Sequence, residues 1–152
     1  MKKFSVLGIV AGVAFTGFAN AADITIYYMP TCPHCHHARD FISDYIAYEF
    51  PSISVTEINV SKKDNQAGFL TALTKCGYTT GGVPVMVIGG KCFQGYAASM
   101  QTELRDAVAA DLSDADKESA KKVQDEMKKD AKEFRKNNKS AEIINGEDSK
   151  KN

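Results

Sequence analysis

The sequence predicts a small mixed α/β domain followed by a charged helix. Between residues 22 and 112, short β-branched runs alternate with segments whose apolar residues recur at helical spacing. A Gly89-Gly90 pair separates two strand-like runs, a pattern typical of a β-hairpin. From Ser113 onward, charged residues dominate and apolar residues become sparse. We therefore expect a four-stranded mixed sheet flanked by helices, with a separate helical tail.

The N-terminus has the layout of a secretory signal peptide. Two lysines precede an apolar run over residues 4–19, and the small-residue site Ala19-Asn20-Ala21 follows. The run is shorter than the roughly 20 apolar residues that a membrane-spanning helix needs. We predict cleavage after Ala21 and export to a periplasm. The predicted divisions are a signal peptide at 1–21, a core domain at 22–112 and a charged tail with a frayed end at 113–152.

Charge and cysteine content narrow the classes of function. The chain has 19 Lys and Arg against 19 Asp and Glu, and loss of residues 1–21 removes two lysines and no acid, which leaves a net charge of about −2. This balance indicates neither a nucleic-acid partner nor an anionic membrane surface. All 4 cysteines lie in the exported part, at positions 32, 35, 76 and 92. An even number in an oxidising compartment favours disulfide chemistry.

The first half of the core domain has a strand-helix-strand-helix order. Residues 23–28 form a β-branched and aromatic run that ends at Met29-Pro30 and predicts a strand. The next apolar residues recur every three or four positions and predict a helix that ends near Pro51; they are Ala38, Phe41, Ile42, Tyr45 and Ile46. Alternation over 53–60 predicts a second strand. Ser61 and Asp64 resemble a capping box for a second helix, which Gly77 closes.

The second half of the domain is predicted to contain a hairpin and a helix. The hairpin strands are 83–88 and 91–94, joined by the Gly-Gly pair, and the last helix covers 99–112.

The tail is predicted to form one helix from Ser113, with Asp116 as capping partner, to about Asn137, and to be frayed from Ala141. A narrow apolar seam runs along it, made of Ala120, Val123, Met127, Ala131 and Phe134. Such a seam packs on the domain, pairs with a copy of itself, or belongs to a solvated helix held by i,i+4 charge pairs. We favour the docked or solvated helix over self-pairing because the seam is weak.

The pair Cys32 and Cys35 lies where the first strand passes into the first helix. At a helix N-terminus, free backbone N–H groups and the helix dipole favour the Cys32 thiolate, which is the nucleophile of disulfide exchange. Cys35 is one helical turn deeper and can attack a mixed disulfide formed on Cys32. Pro33 suits the first turn of a helix. His34 can add positive charge or a hydrogen bond beside Cys32, so we include it among the catalytic residues.

These residues resemble the thioredoxin superfamily, and its bacterial Dsb-type oxidases in particular. The resemblance rests on the run Thr31-Cys32-Pro33-His34-Cys35 after a strand, on Val83-Pro84 before a later strand, and on Gly95-Tyr96 after the hairpin. It implies a thioredoxin-like fold over about 23–112. It also implies a cis peptide bond before Pro84, and it assigns Val83 and Pro84 to substrate binding. A Pro-His dipeptide between the cysteines is typical of the oxidising enzymes, so we expect an oxidase rather than a reductase.

Two features depart from the Dsb pattern. Only 48 residues separate Cys35 from Pro84, too few for the large helical insertion of those oxidases, so the core resembles a glutaredoxin-sized domain. Gly95-Tyr96 stands where glutaredoxins tend to carry a Gly-Gly-Asp type element for glutathione. A glutathione-dependent reductase is therefore an alternative that we favour less.

Two further alternatives use the same residues differently. The run from Cys32 to His36 also fits the c-type haem attachment pattern, although the preceding strand and the Pro84 hairpin do not belong to a small helical cytochrome. Alternatively, Cys32, Cys35, His36 and His37 are soft ligands for copper or zinc. Adjacent histidines on a helix point in different directions, so a tetrahedral set from this run is hard to build. We therefore expect no metal and no cofactor.

Cys76 and Cys92 flank the Val83-Pro84 segment. Two buried free thiols are one interpretation, but an oxidising compartment favours a structural disulfide between them. A second redox-active pair is the third possibility. The expected partners are exported proteins that contain cysteines, together with a membrane or periplasmic redox partner.

Overall fold

The computed structural model describes residues 21–146, so the predicted signal peptide at 1–21 lies outside the described residues except for Ala21. The centre of the fold is a five-stranded sheet with the order β4-β3-β1-β2-β5. Its strands are β1 (Ile24–Tyr28), β2 (Ser54–Asn59), β3 (Val85–Ile88), β4 (Lys91–Gln94) and β5 (Glu142–Asn145). β1 pairs with β2 in parallel, β2 with β5 in parallel, and β3 pairs antiparallel with both β1 and β4.

Helices cover both faces of this sheet. They are α1 (Pro33–Phe41), α2 (Ala47–Glu49), α3 (Lys63–Cys76), α4 (Gln101–Val108) and α5 (Asp114–Asn137), with a π-helical segment at Ile42–Ile46 and a 3₁₀ turn at Ala98–Met100. The larger core includes Ile24, Ile26, Phe41 and Leu104 on one face of the sheet. A smaller core forms around Phe69 and Leu73 of α3 on the other, where the ring of Tyr27 lies 5.5 Å from that of Phe69. Burial in this smaller core raises the pKa of Tyr27.

The first helix contains a π turn that its sequence pattern did not predict. In a regular α-helix, Ala47 would point to the side opposite Ala38, nine residues earlier, because each residue turns the chain by about 100°. In the wider turn at Ile42–Ile46 each residue turns the chain by a smaller angle, so Ala47 faces the same side as Ala38. As a result both Ala38 and Ala47 are fully buried in the same core, and Phe50 is 1% exposed.

The predicted hairpin is confirmed. Gly89 and Gly90 connect β3 to β4 with φ angles of +53° and +82°. Two successive positive φ angles are those of a type I′ turn, whose twist matches that of the flanking strands. A Cβ atom on Gly89 would also lie 2.9 Å from the Cβ of Ala22, so this position has no room for a side chain.

The two ends of α3 differ in how well they were predicted. The Ser61 and Asp64 capping box is wrong, because Lys62 occupies the N-cap position. The backbone N–H of Ser61 instead donates to the side-chain oxygen of Asn59 at 2.9 Å, which draws Ser61 into the turn after β2. The predicted stop at Gly77 is confirmed: it adopts the left-handed conformation, with φ +71°.

The tail helix begins as predicted. The Ser113 hydroxyl accepts a hydrogen bond from the Asp116 backbone N–H at 3.2 Å. Ala120, Val123 and Met127 are buried against the domain, so this part of the seam is docked. The tail is not one regular helix, because Asp130 has non-helical backbone angles. Its carboxylate accepts from the Glu133 N–H at 2.9 Å and so caps a second helical segment.

The frayed end expected from Ala141 is wrong for residues 141–146, and the count of four strands is wrong as well; the rest of the predicted frayed end lies outside the described residues. Ala141 is 3% exposed, and its N–H donates to the carbonyl of Ala47 at 2.7 Å. The next residues form β5, which pairs with β2 so that Ile143 lies opposite Val55. The outer edge of β2 presents unpaired N–H and C=O groups, and β5 satisfies them. Between residues 21 and 146, no helix is long and apolar enough to cross a lipid bilayer.

Candidate active site

Cys32 occupies the N-cap position of α1. A turn after β1 places it at this position, and in this turn the Cys32 N–H donates to the carbonyl of Met29 at 3.2 Å. The Cys32 sulfur accepts a hydrogen bond from the backbone N–H of Cys35 at 3.2 Å, and Pro33 takes the first helical position. The helix N-terminus thus directs a backbone N–H at this sulfur, shared with the Cys32 carbonyl oxygen at 3.1 Å, and this arrangement favours negative charge on the sulfur.

Cys32 and Cys35 are joined by a disulfide, and their exposure is unequal. Cys35 is 1% exposed and belongs to the buried face of α1, whereas Cys32 is only partly buried. An attacking thiolate can therefore approach the sulfur of Cys32 but not that of Cys35.

The Val83-Pro84 segment lies directly beside Cys32. The peptide bond between the two residues is cis, and the Val83 carbonyl oxygen is 3.6 Å from the Cys32 sulfur. Pro84 is buried, and its carbonyl accepts from the Gly95 N–H at 2.8 Å, which ties the segment to the end of β4. The structure thereby brings together two motifs that are 51 residues apart.

The three histidines lie in different surroundings. His34 and His37 are exposed and line a groove beside Cys32. His36 Nε2 lies 2.6 Å from the carbonyl oxygen of Pro30, so this ring nitrogen donates to the loop that leads to Cys32. Within residues 21–146, no three or more His, Cys, Asp or Glu side chains are grouped as a metal ion would require.

The groove beside Cys32 has a volume of about 460 Å³. One wall is formed by α1 and the π segment, and the other by residues 96–101 after β4. Tyr96 of the predicted Gly95-Tyr96 pair belongs to this second wall, where its hydroxyl accepts from the Gln101 side chain at 2.9 Å. The rings of Tyr96 and Tyr45 each lie 6.0 Å from that of Phe41. The floor of the groove is therefore aromatic.

A buried ion pair behind α1 was missed at the sequence level. Glu57 of β2 is 7% exposed and receives two hydrogen bonds from the Arg39 guanidinium, at 2.9 and 2.6 Å. Hydrogen bonding to Glu57 raises the pKa of Arg39, whose guanidinium also lies 4.2 Å from the centre of the Tyr28 ring. The alternation of side chains along β2 could have indicated that Glu57 is buried, because residue 57 lies on the same face of the strand as the buried Ile53 and Val55.

Cys76 and Cys92 form a second disulfide, with a Cα–Cα distance of 5.7 Å. It joins the last residue of α3 to β4 and so closes the loop that carries Val83 and Pro84. The Gln94 side chain supports the same loop by donating to the carbonyls of Thr80 at 2.8 Å and Gly82 at 3.0 Å. The disulfide and these hydrogen bonds thus fix the position of the loop that carries Val83 and Pro84.

Comparison with known proteins agrees with this geometry. A family model described as Glutaredoxin matches residues 24–93, from β1 into β4. The match includes Cys32, Cys35 and Pro84, and it stops short of α4, α5 and β5. No curated protein matches the chain.

Among solved structures, the crystal structure of a glutaredoxin from Archaeoglobus fulgidus is similar at 23% identity. The similarity covers 57% of this chain and 89% of that chain, with a TM-score of 0.42. The predicted thioredoxin-like fold, a mixed sheet flanked by helices, is confirmed by the observed topology and the family match, with five strands rather than four. The Dsb-type assignment stays a prediction.

Proposed function

Given the thioredoxin-like fold and the glutaredoxin-like domain with its Cys-x-x-Cys pair, we propose that the protein exchanges disulfides with exported, cysteine-containing polypeptides through Cys32 and Cys35. One observation carries this proposal. A partly exposed sulfur accepts a hydrogen bond at a helix N-terminus while its bonded partner is 1% exposed. This asymmetry supports a substrate-facing role for Cys32 and a resolving role for Cys35.

Exchange in the oxidising direction begins with a substrate thiolate, which attacks the Cys32 sulfur. The bond between Cys32 and Cys35 breaks, Cys35 leaves as a thiolate, and a mixed disulfide joins the substrate to Cys32. A second substrate thiolate then attacks the substrate sulfur of this bond and releases Cys32 as a thiolate. The substrate has lost two electrons, and the two protein cysteines have gained them. The two protons of the substrate thiols pass to solvent when those thiols ionise, and any protein thiolate that is protonated takes its proton from solvent.

Two groups next to Cys32 suit the release of its thiolate and the binding of the substrate. The Cys35 N–H that points at the Cys32 sulfur stabilises the departing Cys32 thiolate. The Val83 carbonyl, 3.6 Å from the same sulfur, supplies a main-chain acceptor beside the reacting bond. Together with Pro84, it supports the proposal that substrate backbone is held at this point.

The direction proposed is net oxidation. Any group that stabilises the Cys32 thiolate stabilises the reduced protein, and it therefore makes the disulfide a stronger oxidant. The helix terminus acts in this way, and the side chain of His34, two residues after Cys32, can add positive charge or a hydrogen bond beside it. The signal-peptide layout of residues 1–21 supports action in a periplasm, where a membrane or periplasmic redox partner would reoxidise the pair.

A glutathione-dependent reductase is the second candidate, because the matching family model is that of glutaredoxins. In that case glutathione would donate two electrons to the Cys32–Cys35 disulfide, and the protein would reduce its substrate. In the first proposal the substrate itself is the electron donor.

The two candidates differ in reduction potential. We expect the Cys32 and Cys35 pair, equilibrated with glutathione buffers, to have a potential near −120 mV, whereas a value near −270 mV would favour a reductase. In the same samples, iodoacetamide should alkylate Cys32 with a half-maximal rate at a pH below the roughly 8.5 of a free thiol.

Single substitutions test the two roles. Cys32→Ser should abolish exchange with a peptide disulfide, and Cys35→Ser should accumulate mixed disulfides on Cys32. Cys76→Ser with Cys92→Ser is the matched control and should retain exchange. Equal alkylation of reduced Cys32 and Cys35 across pH would contradict the assignment.

A further inference from the structure

We propose that polypeptide substrates extend from Cys32 into a cleft between α4 and α5, where Lys117 and Lys121 bind acidic substrate residues remote from the reacting cysteine. This inference rests on the proposed function and specifies its substrate class. Neither wall of the cleft lies within residues 24–93, which the glutaredoxin family model matches.

Three cavities are neighbours because they share lining residues. Tyr45 lines both the groove beside Cys32 and a second cavity between the π segment, α4 and α5. The second cavity shares Arg105, Asp106 and Gln124 with a third one, which lies further along α4 and α5. Tyr45 is 38% exposed at the junction and offers an aromatic surface to a chain that passes over it.

A buried hydrogen-bond network fixes the walls of these cavities. The Arg105 guanidinium of α4 donates twice to the Glu49 carboxylate, at 2.8 Å each. The Gln124 side chain of α5 donates to the same carboxylate at 3.3 Å. Because Glu49 is 1% exposed, α4 and α5 are held on either side of a common anchor. The cleft is therefore formed before a substrate arrives.

The charge changes sign along the three cavities. Asp40 and Asp44 line the groove beside Cys32, before its junction with the second cavity at Tyr45. Lys117 and Lys121 line the far end and Lys128 lines the second cavity, opposed by Asp106 and by Asp125, which interacts with Lys121 and Lys128. Because Glu49 neutralises Arg105, three lysines against two aspartates leave a surplus of positive charge there. A substrate with carboxylates remote from its cysteine is complementary to this pattern.

The length of the three cavities taken together indicates a polypeptide rather than a tripeptide. Residues 34–45 along the first wall and 117–128 along α5 each span about 16 Å at 1.5 Å per residue. An extended chain rises about 3.3 Å per residue, so about five substrate residues cover each stretch. The far lysines are thus reached by residues about six to ten positions from the substrate cysteine. Glutathione is too short to reach them.

The test compares 21-residue peptides whose central cysteine is activated as a mixed disulfide with thionitrobenzoate. One peptide carries glutamates six to ten positions from the cysteine on both sides, and a second carries lysines there. Cys32 of the chain without residues 1–21, in a Cys35→Ser background, attacks the peptide sulfur and releases thionitrobenzoate, whose absorbance gives the rate. We expect the acidic peptide to react about threefold or more faster at low salt, with the difference vanishing at high salt.

Two double variants on one helix separate the cleft from general charge. K117Q/K121Q removes the two lysines of the far end and should abolish the preference for the acidic peptide. K122Q/K129Q removes the same charge from exposed positions on another face of α5 and should retain it. The net charge of the exported chain, about −2, would by itself favour the lysine peptide, so an acidic preference points to the local site.

Three outcomes would overturn the inference alone: equal rates, a preference for the lysine peptide, or equal effects of the two double variants. Ellman's reagent, a small disulfide that needs no cleft, serves as the reference reaction. If Cys32 fails to react with it, the proposed function fails and this inference fails with it.

Discussion

At the scale of single residues, two glutamate carboxylates are buried, and each forms an ion pair with an arginine from a distant element. Glu57 pairs with Arg39, and Glu49 pairs with Arg105. Both arginines bind their carboxylate with two hydrogen bonds. Because a buried carboxylate without a partner is costly, each pair determines where its two elements pack.

Arg105→Met should therefore destabilise the protein by about 3 kcal/mol, because it leaves the Glu49 carboxylate buried without its guanidinium. The buried carboxylate then keeps only the weaker hydrogen bond from Gln124, at 3.3 Å. Urea unfolding of the variant and of the unmodified protein measures the loss.

Lys128→Met is the control for this experiment. Lys128 also forms an ion pair, with Asp125 at 3.0 Å, but both side chains are exposed. Its pair with Lys128 lowers the pKa of Asp125, yet an exposed pair contributes little to folding. We expect no measurable change in unfolding. A loss in Lys128→Met equal to that in Arg105→Met would contradict the role given to burial.

At the scale of elements, the second disulfide is the covalent link between a helix and the sheet. It connects α3 to β4 across a sequence separation of 16, and the Val83-Pro84 segment lies in the loop that it closes. The catalytic disulfide joins cysteines only three residues apart within one turn of α1. The two bonds therefore have different consequences for the unfolded chain.

Cys76→Ala with Cys92→Ala should lower the free energy of unfolding by about 3 kcal/mol, the loop-entropy estimate for closing about 15 residues. In the unmodified protein, graded dithiothreitol followed by alkylation and peptide mapping should label Cys32 and Cys35 first. Cys76 and Cys92 should be labelled only under harsher reduction or after unfolding. Simultaneous reduction of both bonds would instead indicate a redox relay between them.

At the scale of the whole molecule, the C-terminal segment completes the sheet. After α5, the chain returns to the domain at Ala141 and places β5 beside β2. Without β5, the outer edge of β2 would be an open strand edge, a common starting point for aggregation.

Ala141→Asp should release this segment. The substitution puts a charge at a position that is 3% exposed, and detaching β5 removes that cost. We expect faster amide hydrogen exchange in β2 and a loss of about 2 kcal/mol in stability. Glu142→Lys, at the neighbouring exposed position, should leave both unchanged. Slow exchange in β2 of Ala141→Asp would show that β5 does not depend on this anchor.

The elements that the sequence predicted well are those set by neighbouring residues. Gly89-Gly90 defines its turn through positive φ angles, Ser113 caps α5 through the next few residues, and Cys32 follows β1 at the start of a helix. These features depend on backbone sterics and hydrogen bonds within a few positions, so the local sequence is enough to determine them.

Only the tertiary structure decided the features that join distant residues. Nothing local shows that Glu49 meets Arg105, 56 residues later, or that β5 pairs with β2. A buried carboxylate is stable only beside the charge that compensates it, and a short strand is stable only beside an open sheet edge. Such partners come from elsewhere in the chain, so the sequence determined where the reactive cysteines stand, and long-range packing decided what surrounds them.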